Sequence, residues 1–424
     1  MSDAAWLGPT LAAARPQAVA ALLRYFRDLD IAEEAFQEAS LRALRDWPRN
    51  GPPRDAVAWL IFVGRNVGID ATRRRRRDVP LPDEEDALSD LEDAEADMAD
   101  RLDGSHYRDD VLRLLFVCCH PRLPATQQIA LALRVVSGLS VPRIARAFLV
   151  GDAAMEQRIT RAKARVAEAG VPFGPPGAVE RAERLGAVAA MLYLVFNEGY
   201  SVTAETVAAR ALLSEEAIRL ARLLLRLFPA EPEIMGLLAL MLLQQARSAA
   251  RFDAAGEPIL LEEQDRRLWN PALIAEGLAL IEKAMRHAQP GAYQVQAAIA
   301  ALHARAATAA ETDWAQIDLL YAMLERLQPS PIVTLNRAVA VAKLRGPAAA
   351  LAMIEPLAQR LSAYFYFHGA RGAFLLQLGR HAEARAAFGQ AIALARSSAE
   401  AAHIRRQLDR LMADCAEGET RGAG

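Results

Sequence analysis

Residues 78–110 hold 14 Asp/Glu against 2 Lys/Arg, together with Pro80 and Pro82. Like charges at this density repel one another and resist burial, and proline does not continue a helix interior. The segment therefore predicts an extended or largely unstructured tether, so the 424-residue chain cannot be one continuous core. The charge balance reverses on either side. Residues 1–77 carry 13 Lys/Arg and 9 Asp/Glu, and residues 111–170 carry 9 and 3. A formal net charge of −2 thus hides two basic blocks around an acidic link, a distribution that points toward nucleic acid.

The basic blocks and the long remainder read as helix. The chain is 53% hydrophobic, rich in Ala, Leu, Arg and Glu, and only 6% aromatic, with no convincing pair of alternating strands. A second linker, VPFGPPG at 171–177, stops any helix. The expected class is all-α: a helical block over 1–77, the tether at 78–110, a second block over 111–170, the linker at 171–177, a long helical block over 178–413, and a tail at 414–424. Three cysteines (Cys118, Cys119, Cys415) make no disulfide framework and fit a reducing compartment. No signal peptide or membrane-length apolar run is evident, so a cytoplasmic protein is expected.

Residues 57–77, VAWLIFVGRNVGIDATRRRRR, combine an apolar stripe with a cationic end. Val57, Leu60, Ile61, Gly64 and Val67 recur at helical spacing, whereas Phe62, Asn66, Ile69, Asp70 and Arg73 fall on other faces. Five consecutive arginines, Arg73 to Arg77, can neutralise phosphates and release counterions. Asn66 can hydrogen-bond a base edge, and Phe62 can stack on an unpaired base. The same residues also suit a core helix with a solvated basic end.

Residues 140–169 read as a helix-turn-helix. Ser140 stands where a helix cap is expected, Pro142 is tolerated in the first turn, and a turn at Leu149, Val150 and Gly151 precedes Asp152 as the next cap. On the second helix Met155, Ile159, Ala162 and Val166 form one stripe, and Arg158, Arg161 and Arg165 another. Apolar residues inward and arginines outward are what a recognition helix needs. An ordinary helical hairpin with a basic face is the alternative.

The acidic segment 30–38 (DIAEEAFQE), begun by a capping Asp30, suits a basic protein partner or a solvated face. Cys118-Cys119-His120 is poor zinc geometry, and Cys118 reads as a buried small hydrophobe. No cofactor, metal or catalytic constellation is indicated. In the third block, Leu378-Gly379-Arg380 followed by Ala384, Phe388 and Ala391, with Gly372 upstream, matches a degenerate tetratricopeptide pattern. Trp314, Ile317, Tyr321, Leu324 and Pro329 repeat its second helix. Ala338, Val341, Gly346, Ala350 and Ile354 fit with a one-residue slip. A solenoid of this kind leaves a concave surface for a partner.

Together these segments resemble a bacterial sigma factor of the extracytoplasmic-function type. Residues 30–42 (DIAEEAFQEASLR) resemble the region 2.2 helix, and 58–77 (AWLIFVGRNVGIDATRRRRR) resemble regions 2.3 and 2.4. Residues 131–148 (LALRVVSGLSVPRIARAF) and 155–166 (MEQRITRAKARV) resemble region 4. The segments FVCCHP, AFLV, FNEGY, Gln264-Asp265-Arg266, YQVQAAIAALH and LNRAVAVA are similar to the long subgroup called ECF42, which carries a C-terminal tetratricopeptide-like domain.

The resemblance implies contacts with the clamp and flap of core RNA polymerase and with promoter DNA. It implies that Asp30, Glu33, Glu34, Gln37, Glu38 and Arg42 face polymerase. Phe62, Asn66, Asp70, Arg73, Arg74, Arg75 and Arg76 would lie at the −10 element, and Met155, Arg158, Arg161, Lys163 and Arg165 at the −35 element. It also implies that the acidic tether threads the polymerase interior, and that the C-terminal domain regulates or supports activity in place of a membrane anti-sigma partner. Flap contacts at Thr126-Gln127-Gln128, where the chain departs from the family pattern, stay open. A tetratricopeptide adaptor and a helix-turn-helix repressor without polymerase binding are the alternative functions.

Overall fold

The computed structural model describes residues 6–76, 104–120, 122–148, 150–169, 178–200, 207–253 and 259–395, with a few positions between 401 and 408. At 70–76, 104–109, 178–180 and 207–210 it describes the backbone alone. The tether core at 77–103 and the linker at 171–177 lie outside the described residues. The described residues form seventeen α-helices and no β-strand. They divide into two units, Met1–Glu198 with Glu215–Phe228, and Gly199–Ser214 with Pro229–Gly424.

The first unit begins with three mutually packed helices, α1 (Leu7–Phe26), α2 (Leu29–Asn50) and α3 (Ala56–Arg76). Asp28, not Asp30, caps α2: its backbone is extended and its carboxylate accepts from the N–H groups of Asp30 and Ile31. Leu22, Ala35, Phe36, Leu60 and Ile61 fill the space between the helices. Trp47 packs edge-on against Trp59 and stacks on Trp6 at its end.

Four more helices complete the sigma-like part: α4 (Gly104–Cys118), α5 (Ala125–Val135), α6 (Val141–Ala147) and α7 (Asp152–Ala169). Helix α4 packs on α1 and on α5, and α7 packs on α5 and α6. The second block therefore starts earlier than Val111, at Gly104. Asp110 is why an acidic stretch can be helical here: it is buried and paired with both Arg113 (2.8 Å) and Arg24 (3.2 Å). Ser140 occupies the cap position of α6, but its side chain makes no capping bond, and Pro142 sits in the first turn. Beyond α7 come α8 (Ala178–Tyr200) and α9 (Val207–Leu227).

The second unit is a succession of helices packed on their sequence neighbours: α10 (Pro232–Gln245), α11 (Pro271–Met285), α12 (Ala292–Arg305), α13 (Trp314–Leu327), α14 (Pro331–Arg345), α15 (Pro347–Ile354), α16 (Phe365–Gln377) and α17 (His381–Leu394). Helices α10 and α11 pack closely on each other. Contacts also reach past the neighbour, slightly at α14 against α16 and extensively at α10 against α12. There Glu233 accepts hydrogen bonds from the N–H groups of Tyr293 and Gln294, at the positive N-terminus of α12.

A Cβ on Gly236 would lie 2.6 Å from the Gln294 backbone nitrogen, so α10 approaches α12 only because residue 236 has no side chain. Since backbone cannot yield as a side-chain tip can, Gly236→Ala should destabilise the second unit by about 1–3 kcal/mol. Urea denaturation followed by far-UV circular dichroism measures it, and an unchanged midpoint would refute the contact.

Candidate nucleic-acid interface

Each of the three helices singled out in the sequence is two-faced. On α3, Ala58, Leu60, Ile61, Val63, Gly64 and Gly68 face the core, and Val57 and Val67 are half-buried. Phe62 is half-exposed and Asn66 exposed, four residues apart and so on one face. Arg65 joins them. It is exposed, and its guanidinium lies over the Tyr25 ring, 4.4 Å from the centroid. Arg65 is not among the residues the sequence singles out, although its i+3 spacing from Phe62 carries the signal. Asp70, Arg73, Arg74, Arg75 and Arg76 continue the same helix, with side chains outside the described residues; Arg77 lies outside them altogether.

Helix α7 buries Met155, Ile159, Ala162 and Val166, the stripe expected from the sequence. Met155 has no exposed surface, so it packs the core and is withdrawn from the −35 face. Arg161 and Arg165 are exposed, and Arg158 is half-exposed with its guanidinium 5.9 Å from the Phe148 ring centroid. Arg165 also donates to Gln127 Oε1 (3.0 Å), in the stretch that departs from the family pattern.

Lys163 points elsewhere. Its Nζ lies 2.6 Å from both Asp30 Oδ1 and Glu33 Oε2 on α2. Glu33 is correspondingly buried, so it does not share the solvent-facing surface of Glu34 and Gln37. Its other oxygen accepts from Arg15 Nη2 (2.9 Å), while Arg15 Nε donates to the Val135 carbonyl (2.9 Å) and the guanidinium lies over Phe36. Gly138, at φ +69°, makes room: a Cβ there would lie 2.7 Å from Arg15 Cδ. Two sets of residues expected to face different partners are thus joined to each other.

The remaining acidic face of α2 carries Asp30, Glu34, Gln37, Glu38 and Arg42, with Glu38 in loose pairs to Arg42 (3.7 Å) and Arg45 (4.0 Å). Leu41, four residues beyond Gln37, and Leu44, seven beyond it, are exposed on that same face. Neither is among the residues the sequence singles out. An apolar pair ringed by charge suits a protein surface better than solvent.

Electrostatics follow the geometry. Burial lowers the Arg15 pKa, with Glu33 working against the shift. Burial also pulls Lys163 down, but Glu33 and Asp30 outweigh it, and its pKa rises above the ordinary lysine value of 10.5. Burial drives Cys118 well up and Cys119 to about 12, which keeps both thiols protonated and poor as metal ligands. Among the described residues no group of three His, Cys, Asp or Glu could hold a metal ion. No described helix is long and apolar enough to cross a membrane.

Removing the shared carboxylate strands two cations, so Glu33→Gln should cost the first unit about 3 kcal/mol in chemical denaturation. A loss below about 0.5 kcal/mol would mean the cluster is solvated. Because Lys163 is raised, its contribution is complete below pH 10.5 and disappears as pH climbs through the folded value. Lys163→Met should therefore flatten the alkaline limb of the stability curve, and an unaltered limb would contradict the assignment.

Comparison with known proteins agrees with this division. Residues 11–78 match Sigma-70 region 2, and 113–166 match Sigma-70 region 4. Residues 184–285 match a family of unknown function, DUF6596. An uncharacterized protein of Rhizobium meliloti (strain 1021) is 69% identical over 414 residues, covering 98% of each chain. No solved structure matches. The chain belongs to the same family as the R. meliloti protein, and its sigma-70 regions 2 and 4 make it a sigma factor, a DNA-binding protein of promoter recognition and transcription initiation.

Proposed function

We propose that the chain acts as an extracytoplasmic-function sigma factor of the ECF42 type, in the cytoplasm, without enzymatic activity. The acidic face of α2 (Asp30, Glu34, Gln37, Glu38 and Arg42, with Leu41 and Leu44 at its C-terminal end) binds core RNA polymerase. Phe62 and Asn66, aided by Asp70 and the Arg73, Arg74, Arg75 and Arg76 series, capture the opened −10 strand. Arg158, Arg161 and Arg165 read the −35 duplex. The observation that carries this reading is the two-faced construction of α3 and α7. Each buries its apolar stripe and turns Asn or Arg to solvent.

The Lys163 cluster sets a condition on that activity. Lys163 cannot meet a phosphate while Asp30 and Glu33 hold its ammonium at 2.6 Å, and one carboxylate oxygen of Asp30 is withdrawn from a polymerase partner. Polymerase binding must exchange these contacts for its own, so the free chain is a poor DNA binder. Linking two modest modules still gives firm promoter binding once both are released, through effective concentration.

For the second unit we infer tetratricopeptide-like repeats that regulate or support initiation by holding a protein or peptide. A Cβ on Gly372 would stand 2.6 Å from the Phe388 ring, the small-against-large interlock that such repeats use. Ala384, Phe388 and Ala391 are buried in one core with Leu335, Val341 and Ile354.

Purified protein with bacterial core polymerase should give promoter-dependent transcripts. Arg158→Ala with Arg161→Ala should lower −35-dependent initiation at least about tenfold, as the loss of two base- or phosphate-directed arginines predicts. Tight duplex binding without polymerase would instead favour a repressor, and failure to comigrate with polymerase would favour an adaptor.

A further inference from the structure

The second unit gathers cations that its own carboxylates do not neutralise. Arg247, at the end of α10, donates to the Tyr200 hydroxyl (3.1 Å), and its guanidinium lies 6.0 Å from the Trp269 ring centroid. Arg266 stands 5.0 Å from the same centroid. Arg251 lies over Tyr200, 3.8 Å from its centroid, and donates to the Tyr200 carbonyl. Among the described residues none of these three arginines makes an ion pair. Two nearby acids are paired elsewhere, Glu262 with Lys343 (2.8 Å) and Asp265 with Arg267 (2.8 Å), while Glu311, hydrogen-bonded to Thr308 (3.0 Å), acts on Arg266 only through space.

Structural roles account for only part of this charge. Arg266 donates to the His303 and Ala306 carbonyls at the C-terminus of α12, and Arg251 meets the C-terminus of α8 at Tyr200. A helix C-terminus offers roughly half a unit of negative charge. Two of them supply about one unit against three positive charges. The excess reaches His303, whose pKa falls to about 4, first through burial and then through Arg247 and Arg266, with Glu262 opposing.

Donor capacity is also left over. Each arginine uses one terminal nitrogen in its hydrogen bonds, leaving most of its fork. Trp269 is 5% exposed, and its indole N–H has no hydrogen-bond partner. A buried donor among unneutralised guanidiniums suits a polyvalent oxyanion, because guanidinium binds phosphate through paired N–H groups.

We propose that Arg247, Arg266 and Trp269 form a binding site for a small molecule that carries a phosphate group or a comparable dianionic oxyanion. Arg251 contributes field rather than direct contact, since it is held over Tyr200. Such a site gives the second unit a chemical input distinct from a peptide on its repeats, and it stands whether or not the first unit binds polymerase.

The test is titration of the full-length chain with inorganic phosphate at constant ionic strength, by calorimetry and by His-selective NMR. Saturable binding is expected, with the His303 pKa moving upward from about 4 as the anion offsets the arginines. Arg247→Gln should weaken binding about tenfold, as removal of a charge-assisted contact does. Arg247→Lys should weaken it less, and Arg345→Gln, at an arginine paired with Asp318, should leave it unchanged. The wild-type His303 shift needs no variant, so a poorly folding Arg247→Gln leaves the test intact. No saturation by phosphate, an unmoved His303, or equal loss in Arg345→Gln would overturn the site. So would binding confined to an acidic peptide or to nucleic acid.

Discussion

A single carboxylate organises the first unit. Glu33 is buried between Arg15 and Lys163, and Arg15 passes its remaining donors to the backbone at the end of α5. Burying three charges has a large desolvation cost, and it is tolerated only where geometry and extra hydrogen bonds are good. Here distances of 2.6–2.9 Å and a carbonyl acceptor meet that condition. The network joins α1 and α2 to α5 and α7, the elements matched by region 2 and region 4. Its cost of disruption lies in the path of any partner that uses either region.

The rest of the chain meets a different demand with the same means. Helices rich in Ala, Leu and Arg bury one apolar stripe and leave cations outward, and the setting decides what those cations do. On α7 Arg161 and Arg165 face solvent while Lys163, midway between them, is turned into an ion pair. In the second unit Arg337 is neutralised by Asp318 and Glu325, whereas Arg247, Arg251 and Arg266 are collected around aromatic rings without carboxylates. Charge counted along a sequence does not separate these cases, because pairing is decided by residues far apart in the chain.

That limit marks how much could be read in advance. The all-helical class and the α7 stripe were legible, since both rest on local periodicity. The placement of Phe62 and Asn66 was legible for the same reason. By type alone Asp30 is as suitable an α2 cap as Asp28, two residues earlier. Glu33 and Lys163 look like surface groups in the sequence because a partner 130 residues away leaves no periodic trace. Charge density alone places Asp110 in the tether, whereas its pairing with Arg24 and Arg113 draws it into a helix. Leu41, Leu44 and Arg65 carry a helical-spacing signal beside Gln37 and Phe62, but a single apolar or basic residue on a helix does not announce a site.

The central claim is that one protein holds region 2 against region 4 when free and releases them on core polymerase. Spin labels at Arg49 on α2 and Glu168 on α7, both exposed and outside the proposed contacts, report that separation directly by pulsed dipolar spectroscopy. The account predicts one narrow distance in the free protein and a different, broader one with core polymerase bound. A broad distribution in the free protein, or the same narrow distance in a transcribing complex, would contradict it.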